Sequence, residues 1–264
     1  MDVQLTNKKA LVTGSTAGIG YAIAKGLAKE GAHVIINGRK AEAIADAIKQ
    51  IKETTGNENI SGIVADFSKK EEIDHLLKEI DDVDILVNNV GIFNQVDFED
   101  ITDEEWLEMF EINVMSGVRL SRHYFPKMLQ KNEGRIIFIS SESALNIPTE
   151  MVHYGFSKTA QLAISRGLAR LSKGTNVTVN SVLPGPTMSR ANANDLEQQA
   201  KENNTTQEAV IEDFFEKRRP TSLIQRFADA EEVANMVVYI ASPLAAATNG
   251  AALRVDGGVA NYIV

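Results

Sequence analysis

An apolar run, Ala10-Leu11-Val12, passes directly into Thr13-Gly14-Ser15-Thr16-Ala17-Gly18-Ile19-Gly20, and a helical pattern follows from Ile19 to Lys29. Three glycines between a strand and a helix allow the backbone to turn sharply and let another group approach the main chain. They leave the first N–H groups of the helix unpaired at the positive end of its dipole, a natural seat for a pyrophosphate. The spacing is G-x-x-x-G-x-G, not the commoner G-x-G-x-x-G, so the turn is a dinucleotide signal that needs company.

Further short runs rich in Val, Ile and Leu alternate with segments of helical period, the pattern of βαβ units in a parallel sheet. Strands are expected near Lys9–Thr13, His33–Asn37, Ser61–Ala65, Asp84–Asn88, Arg135–Ser140, Val177–Leu183 and Ala252–Val255. Most are continuously apolar, as strands buried on both faces should be. Helical patterns include Ala41–Thr54, Glu71–Ile80 and Tyr154–Ser172. The expected fold is α/β: a single Rossmann-type, doubly wound, parallel seven-stranded sheet with helices on both faces and right-handed crossovers. No repeat or low-complexity linker divides the 264 residues, so one domain, 1–264, is expected. From Ser189 to Gln225 the chain turns polar, with helical stretches at Asp195–Glu202 and Gln207–Lys217. An excursion of this length between a strand and a helix reads as a helical substrate lid; the plain alternative is surface decoration.

Twenty-seven Lys and Arg against 36 Asp and Glu leave a net charge of −9. Such a surface repels phosphate backbones and anionic lipid, which argues against nucleic acid or membrane as the main partner. Cysteine is absent, removing disulfides, thiolate nucleophiles and cysteine-bound metals, and fitting a cytoplasmic location. No basic, apolar leader is visible at the amino terminus. Val233–Leu253 is uncharged over 21 residues, but Asn235, Ser242, Pro243, Thr248, Asn249 and Gly250 interrupt it, and a helix, turn and strand fit better than a bilayer span. His33, His75, His123 and His153 lack metal-ligand spacing, so no metal is expected.

Two other sites carry chemistry. The second strand ends at Asn37-Gly38-Arg39-Lys40. An acid here would bind an adenosine 2′-hydroxyl, whereas a guanidinium suits a 2′-phosphate. Asn37 and Arg39 therefore favour NADP(H) over NAD(H), although Ala17 offers no second cation and Arg39 also reads as a solvated charge at a helix start. Further on, Tyr154 and Lys158 are four residues apart and share a helical face. A neighbouring ammonium favours phenolate and lowers the phenol pKa. Alone, such a pair is common by chance.

Taken together, Thr13-Gly14-x-x-x-Gly18-x-Gly20, Asn88-Asn89-Val90-Gly91, Asn113, Ser141, Tyr154-x-x-x-Lys158 and Pro184-Gly185 closely resemble the short-chain dehydrogenases/reductases, over about Leu5 to Gly258. Val90, where alanine is usual, and Ala144, where glycine often stands, depart from the pattern. The resemblance implies hydride transfer between NADP(H), or NAD(H), and a small-molecule carbonyl or alcohol. It makes Tyr154 the acid–base and Lys158 its activator and a ribose ligand. Ser141, chosen over Ser140 by its 13-residue spacing to Tyr154, would hold the substrate oxygen, and Asn113 would anchor a water leading protons from Lys158 to solvent. For the cofactor it implies Gly14, Ser15, Thr16, Gly18, Ile19 and Gly20 at the pyrophosphate turn, Arg39, Asp66 and Asn88 along the adenosine side, Gly91 as a further contact, and Pro184, Gly185, Thr187 and Ser189 at the nicotinamide carboxamide. Phe93, Glu142, Asn146, Met151 and Met188 would line the substrate pocket. It further implies a homotetramer built on the long helices after the fourth and fifth strands. A dinucleotide-binding redox sensor without turnover is the alternative, but it would have no need of the four catalytic groups.

Overall fold

The computed structural model describes residues 2–263. Seven parallel strands form one sheet: β1 (Lys9–Val12), β2 (His33–Gly38), β3 (Ile60–Val64), β4 (Ile85–Asn88), β5 (Gly134–Ile139), β6 (Val177–Pro184) and β7 (Ala252–Val255). Their order is β3-β2-β1-β4-β5-β6-β7, with Ala10 opposite Val34 on one side and Ile85 on the other. The chain winds outward from β1 to β3, then returns to the far side of β1 and winds the other way. Between β1 and β4 the connections diverge, and the carboxyl ends of these strands border an open crevice.

Branched residues dominate the central strands, which fit a pleated surface covered on both faces. β4, β5 and β6 are buried along their whole length. The outer strands differ: β3 exposes Ser61, Gly62 and Val64, and β7 is only partly covered. Each has a strand neighbour on one side only, so continuous apolarity there does not mean burial on both faces.

Alternation along β1 sends Ala10 and Val12 to one face and Leu11 to the other. The first face is covered by α1 (Gly18–Lys29), α2 (Ala41–Thr55) and α9 (Ala230–Ala241), the second by α3 (Lys70–Glu79), α5 (Ser116–Lys131) and α6 (Val152–Leu171). α1 and α9 pack closely, because a Cβ on Gly26 would stand 2.9 Å from Val238. The uncharged stretch 233–253 resolves into α9, a 3-10 turn and β7, and among the described residues no helix is long and apolar enough to cross a membrane.

α4 (Asp103–Phe110) starts at a reciprocal cap between Thr102 and Glu105, and a widened π turn, Glu111–Met115, leads directly into α5. The excursion holds α7 (Arg190–Glu202), starting five residues before the expected stretch, and α8 (Gln207–Lys217) as expected. Ser189 accounts for the earlier start, since its hydroxyl accepts the Asn192 N–H at 3.1 Å. Leu196, Ala200 and Val210 bury between the two helices with Met188, Ile211 and Phe227.

At the start of α9, Asp229 accepts from the third-residue N–H while Glu232 reaches back to the Asp229 N–H at 2.8 Å. Asp229→Ala is expected to lower stability by about 1 kcal/mol, read as a smaller urea midpoint with an unchanged denaturant slope.

Candidate active site

The glycine turn is tied to three strands. Thr13 Oγ1 accepts from Asn89 N–H at 2.9 Å and Val90 N–H at 3.1 Å, and Asn89 Nδ2 donates to the carbonyls of Thr13 and Gly14 at 2.9 and 3.1 Å. A Cβ on Gly20 would stand 2.4 Å from the Gly14 carbonyl oxygen, so the helix approaches the turn only as glycine. Val90 presses its methyl toward Gly14, filling space that alanine would leave. Ser15 is fully buried, its hydroxyl donating to Val12 and accepting from Asn37 N–H and its own N–H donating to the Asn37 carbonyl at 2.9 Å, so it braces the turn and offers a ligand no donor. Thr16 lies against Gly38. Gly18 has φ 58° with nothing within 4 Å of where a Cβ would lie, and α1 has neither a side-chain cap nor an acid in its first turn. The turn thus presents an open cradle, bordered by the N–H groups around Gly18, Ile19 and Gly20.

On the β2 side the residues divide. Asn37, expected to help choose the cofactor, is buried at 1% exposure, with Oδ1 accepting from Gly14 N–H at 3.0 Å and Nδ2 donating to Ile63 and Ala65 at 3.3 Å each. It is a structural tie. Arg39 is exposed at the crevice and makes no ion pair among the described residues, yet it is near enough to help hold the Asp66 carboxyl below its ordinary range. Asp66 is held mainly by Ser68, whose N–H and hydroxyl both donate to its Oδ1. Asn88 is buried and gives one hydrogen bond, a 3.4 Å donation to Ser121, leaving its Oδ1 without a partner.

The catalytic candidates meet at the carboxyl ends of β4 and β5. Lys158, 4% exposed, donates to the Ile139 carbonyl at 2.9 Å and lies 5.6 Å from the centre of the Tyr154 ring. Gly91 is tight against it, a Cβ there lying 3.2 Å from Nζ. Ser140 Oγ is spent on the Lys158 carbonyl at 2.9 Å, whereas Ser141 Oγ accepts from Ser143 N–H at 3.1 Å and is near enough to Tyr154 to hold its phenol down. Asn113 lies in the π turn, its Oδ1 accepting from Ile92 N–H at 2.7 Å and its Nδ2 donating to the Ile92 carbonyl and Ser157. Its main-chain carbonyl accepts from Gln161 Nε2 at 2.6 Å.

Tyr154 keeps part of its surface open, but desolvation by the protein around it pushes its phenol up to about 12; the Ser141 hydroxyl opposes this, Glu142 adds to it and Arg219 opposes it. Desolvation brings Lys158 down to about 8. The expected lowering of the phenol by Lys158 is therefore not realised here. Burial favours the neutral form of both groups, and the ammonium is turned to the Ile139 carbonyl.

At the end of β6, Gly185 lies against the Asp256 backbone, at 2.5 Å from a hypothetical Cβ. Pro184 ends the strand, Thr187 Oγ1 donates to the Gly185 carbonyl at 2.9 Å, and Ser189 is committed to capping α7. Phe93 is exposed and meets Tyr154 edge-on at 6.1 Å. Asn146 is exposed, Met151 is buried, and Met188 joins the cluster between α7 and α8. Glu142, 3% exposed, accepts from Arg219 Nε at 3.1 Å and leaves Oε2 unpartnered. Two features escaped the sequence reading, Gln161 and the Arg219 link to Glu142 and Glu150; His153, named there only as lacking metal-ligand spacing, is bonded to Asn94 at 2.7 Å. Helical spacing from Lys158 could have found Gln161; the Arg219 link depends on tertiary contacts. Among the described residues no cluster of His, Asp or Glu could hold a metal.

The open cradle at Gly18 and the orphaned Asn88 Oδ1 fit a dinucleotide lying across the β1–β4 divide. Residues 8–200 match the short chain dehydrogenase family model. The chain belongs to the short-chain dehydrogenase/reductase family, whose members are oxidoreductases. It is 51% identical over 262 residues to the uncharacterized oxidoreductase YvrD of Bacillus subtilis (strain 168), covering 98% of each chain. To D-beta-hydroxybutyrate dehydrogenase of Rhizobium meliloti (strain 1021) it is 32% identical over 258 residues, covering 95% of this chain and 98% of that one. The structure of L-sorbose reductase from Gluconobacter frateurii, complexed with NADPH and L-sorbose, superposes with a TM-score of 0.92 at 31% identity over the whole of both chains.

Lys158 yields a pH prediction. Below pH 8 it is charged in folded and unfolded chains alike, and the folded chain bears the desolvation cost. Between about 8 and its ordinary value of 10.5 the folded chain has released the proton and the unfolded chain has not, so stability rises with pH. The unfolding free energy of the wild type relative to Lys158→Met should rise by ~3 kcal/mol from pH 7 to 10.5, measured by urea denaturation at each pH.

Proposed function

We propose that this protein is a carbonyl reductase and alcohol dehydrogenase dependent on NADP(H), with Tyr154 as its acid–base. The observation that carries the reading is the convergence of Tyr154, Ser141 and Lys158 beside Gly91, at the mouth of the crevice that the glycine turn opens. When bound, the nicotinamide dinucleotide supplies or accepts the hydride. The turn from Gly14 to Gly20 holds its phosphates, Asp66 and Asn88 border its adenosine side, Gly91 borders the dinucleotide beside Lys158, and Pro184, Gly185, Thr187 and Ser189 border the nicotinamide end, Ser189 through its backbone.

In reduction, Tyr154 donates its proton to the substrate oxygen; in oxidation it takes the proton back. A phenol held at about 12 is fully protonated at neutral pH, ready as the acid. Ser141 holds the substrate oxygen beside Tyr154. Lys158 has three N–H donors and two protein acceptors, Ile139 and Gln161, which leaves one donor for a ribose hydroxyl. Its charge lies near enough to stabilise the phenolate that oxidation requires.

Arg39 supports NADP(H), since it is exposed, makes no ion pair among the described residues and follows the end of β2. Residues 189–225 act as a lid within a single domain, a reading supported by Arg218 bonding Gln95 at 3.2 Å and Arg219 pairing with Glu142 and Glu150. Substrate contacts then fall to Phe93 and Glu142 near Tyr154. A homotetramer on α4–α5 and α6 is supported by the exposed Leu107, Phe110, Phe156 and Leu171.

The test is a panel of ketoses, β-keto acids and small ketones with both cofactors, followed at the reduced nicotinamide band. Ketoses and β-keto acids lead it because of the likeness to L-sorbose reductase and D-beta-hydroxybutyrate dehydrogenase. Tyr154→Phe should cut kcat by ~100-fold or more while cofactor Kd stays within about twofold. Normal turnover by the variant would remove the acid–base assignment, and cofactor binding with no turnover across the panel would favour a redox sensor. Arg39→Ala should weaken NADPH by ~10-fold or more, as loss of a charge-assisted phosphate contact does, and leave NADH unchanged in a fluorescence titration. Equal losses would remove the preference.

A further inference from the structure

Gln161 is 2% exposed on a helix face turned into the protein, one turn beyond Lys158 and two beyond Tyr154. A buried amide is costly unless its groups are paired, and here each has a definite partner. Nε2 donates to the Asn113 main-chain carbonyl at 2.6 Å, and Oε1 faces Lys158 Nζ at 3.5 Å. The carbonyl can accept only from the NH2 end of the amide, so the first bond fixes which end meets the lysine. The Asn113 carbonyl is itself held in place by the π turn and by the clamp of the Asn113 side chain on Ile92.

We propose that Gln161 is a positioning residue that holds Lys158 as an ammonium beside Tyr154, so that a fixed side-chain amide ties Lys158 to the Asn113 main chain. The inference rests on the catalytic reading of Tyr154 and Lys158. No proton passes through the amide; its carbonyl oxygen favours the charged lysine, and the charged lysine favours phenolate. Other charges near the pair have their own partners. Glu142, from the turn after β5, and Glu150 engage Arg219. His153 engages Asn94, Glu105 of α4 engages Thr102, and Glu111 of the π turn engages Arg119. β6, packed against α6, carries no charged residue. Gln161 is thus the side chain that supports the ammonium.

The test uses the protein without cofactor, labelled with 13C-lysine, and follows the Lys158 Cε resonance by NMR from pH 6 to 11, assigned by its loss in Lys158→Met. Gln161→Met, of similar shape but without donor or acceptor, should bind the Lys158 proton about tenfold more weakly, with thermal unfolding within a few degrees of wild type. Gln161→Glu, which keeps an acceptor, should bind it at least as tightly as wild type. In alcohol oxidation the Met variant should lose kcat and need a higher pH to reach its plateau, with KM little changed. A Met variant whose lysine titrates within about twofold of wild type overturns the proposal. So does a Glu variant whose lysine binds its proton more weakly than wild type, a measurement that serves even if the Met variant does not fold. Because the titration is read without turnover, failure here leaves the acid–base role of Tyr154 standing, whereas a fully active Tyr154→Phe would remove that role and leave the titration result intact.

Discussion

A lysine buried beside a half-buried phenol, with no carboxylate paired to it among the described residues, is the constraint around which this end of the molecule is arranged. Desolvation works against its charge, and the structure answers with neutral acceptors: the carbonyl of Ile139 at the end of β5 and the amide of Gln161. Neutral acceptors support the ammonium without quenching its field, as a carboxylate would. The field therefore remains available to Tyr154, and the lysine keeps a donor for a ligand.

Holding such a group demands a rigid surround, and the sheet provides it. Ile139, Asn88 and Val12 all end strands that are fixed in register, so the groups that follow them emerge at one edge. The π turn before α5 has a comparable part. By widening the helix for one turn it seats the Asn113 side chain on Ile92 and leaves the Asn113 carbonyl to Gln161. An unbroken α-helix from Asp103 to Lys131 would place these groups differently.

Much of this was readable in the sequence, and the exceptions have physical causes. Apolar runs of four to eight residues located all seven strands, because strands buried under helices carry few polar side chains. They did not tell the covered centre from the partly open β3 and β7, since edge position is set by topology. The Tyr154–Lys158 spacing was legible because helix geometry is local. The direction of their pKa changes was not, because it depends on what packs around them and on where Nζ turns. Asn37 misled for a similar reason: its place at the end of a strand suggested a ligand contact, whereas its amide is spent on Gly14, Ile63 and Ala65. The pairing of Arg219 with Glu142 joins residues 77 positions apart and left no trace in either local sequence.

The commitment of Asn37 bears on redesign. A residue that knots β1, β2 and β3 together is closed to exchange, since any replacement must first repair the glycine turn. An engineer wishing to alter the nucleotide taken up would have to leave that knot alone and work on the exposed corner beginning at Arg39, where side chains can change without disturbing the sheet beneath.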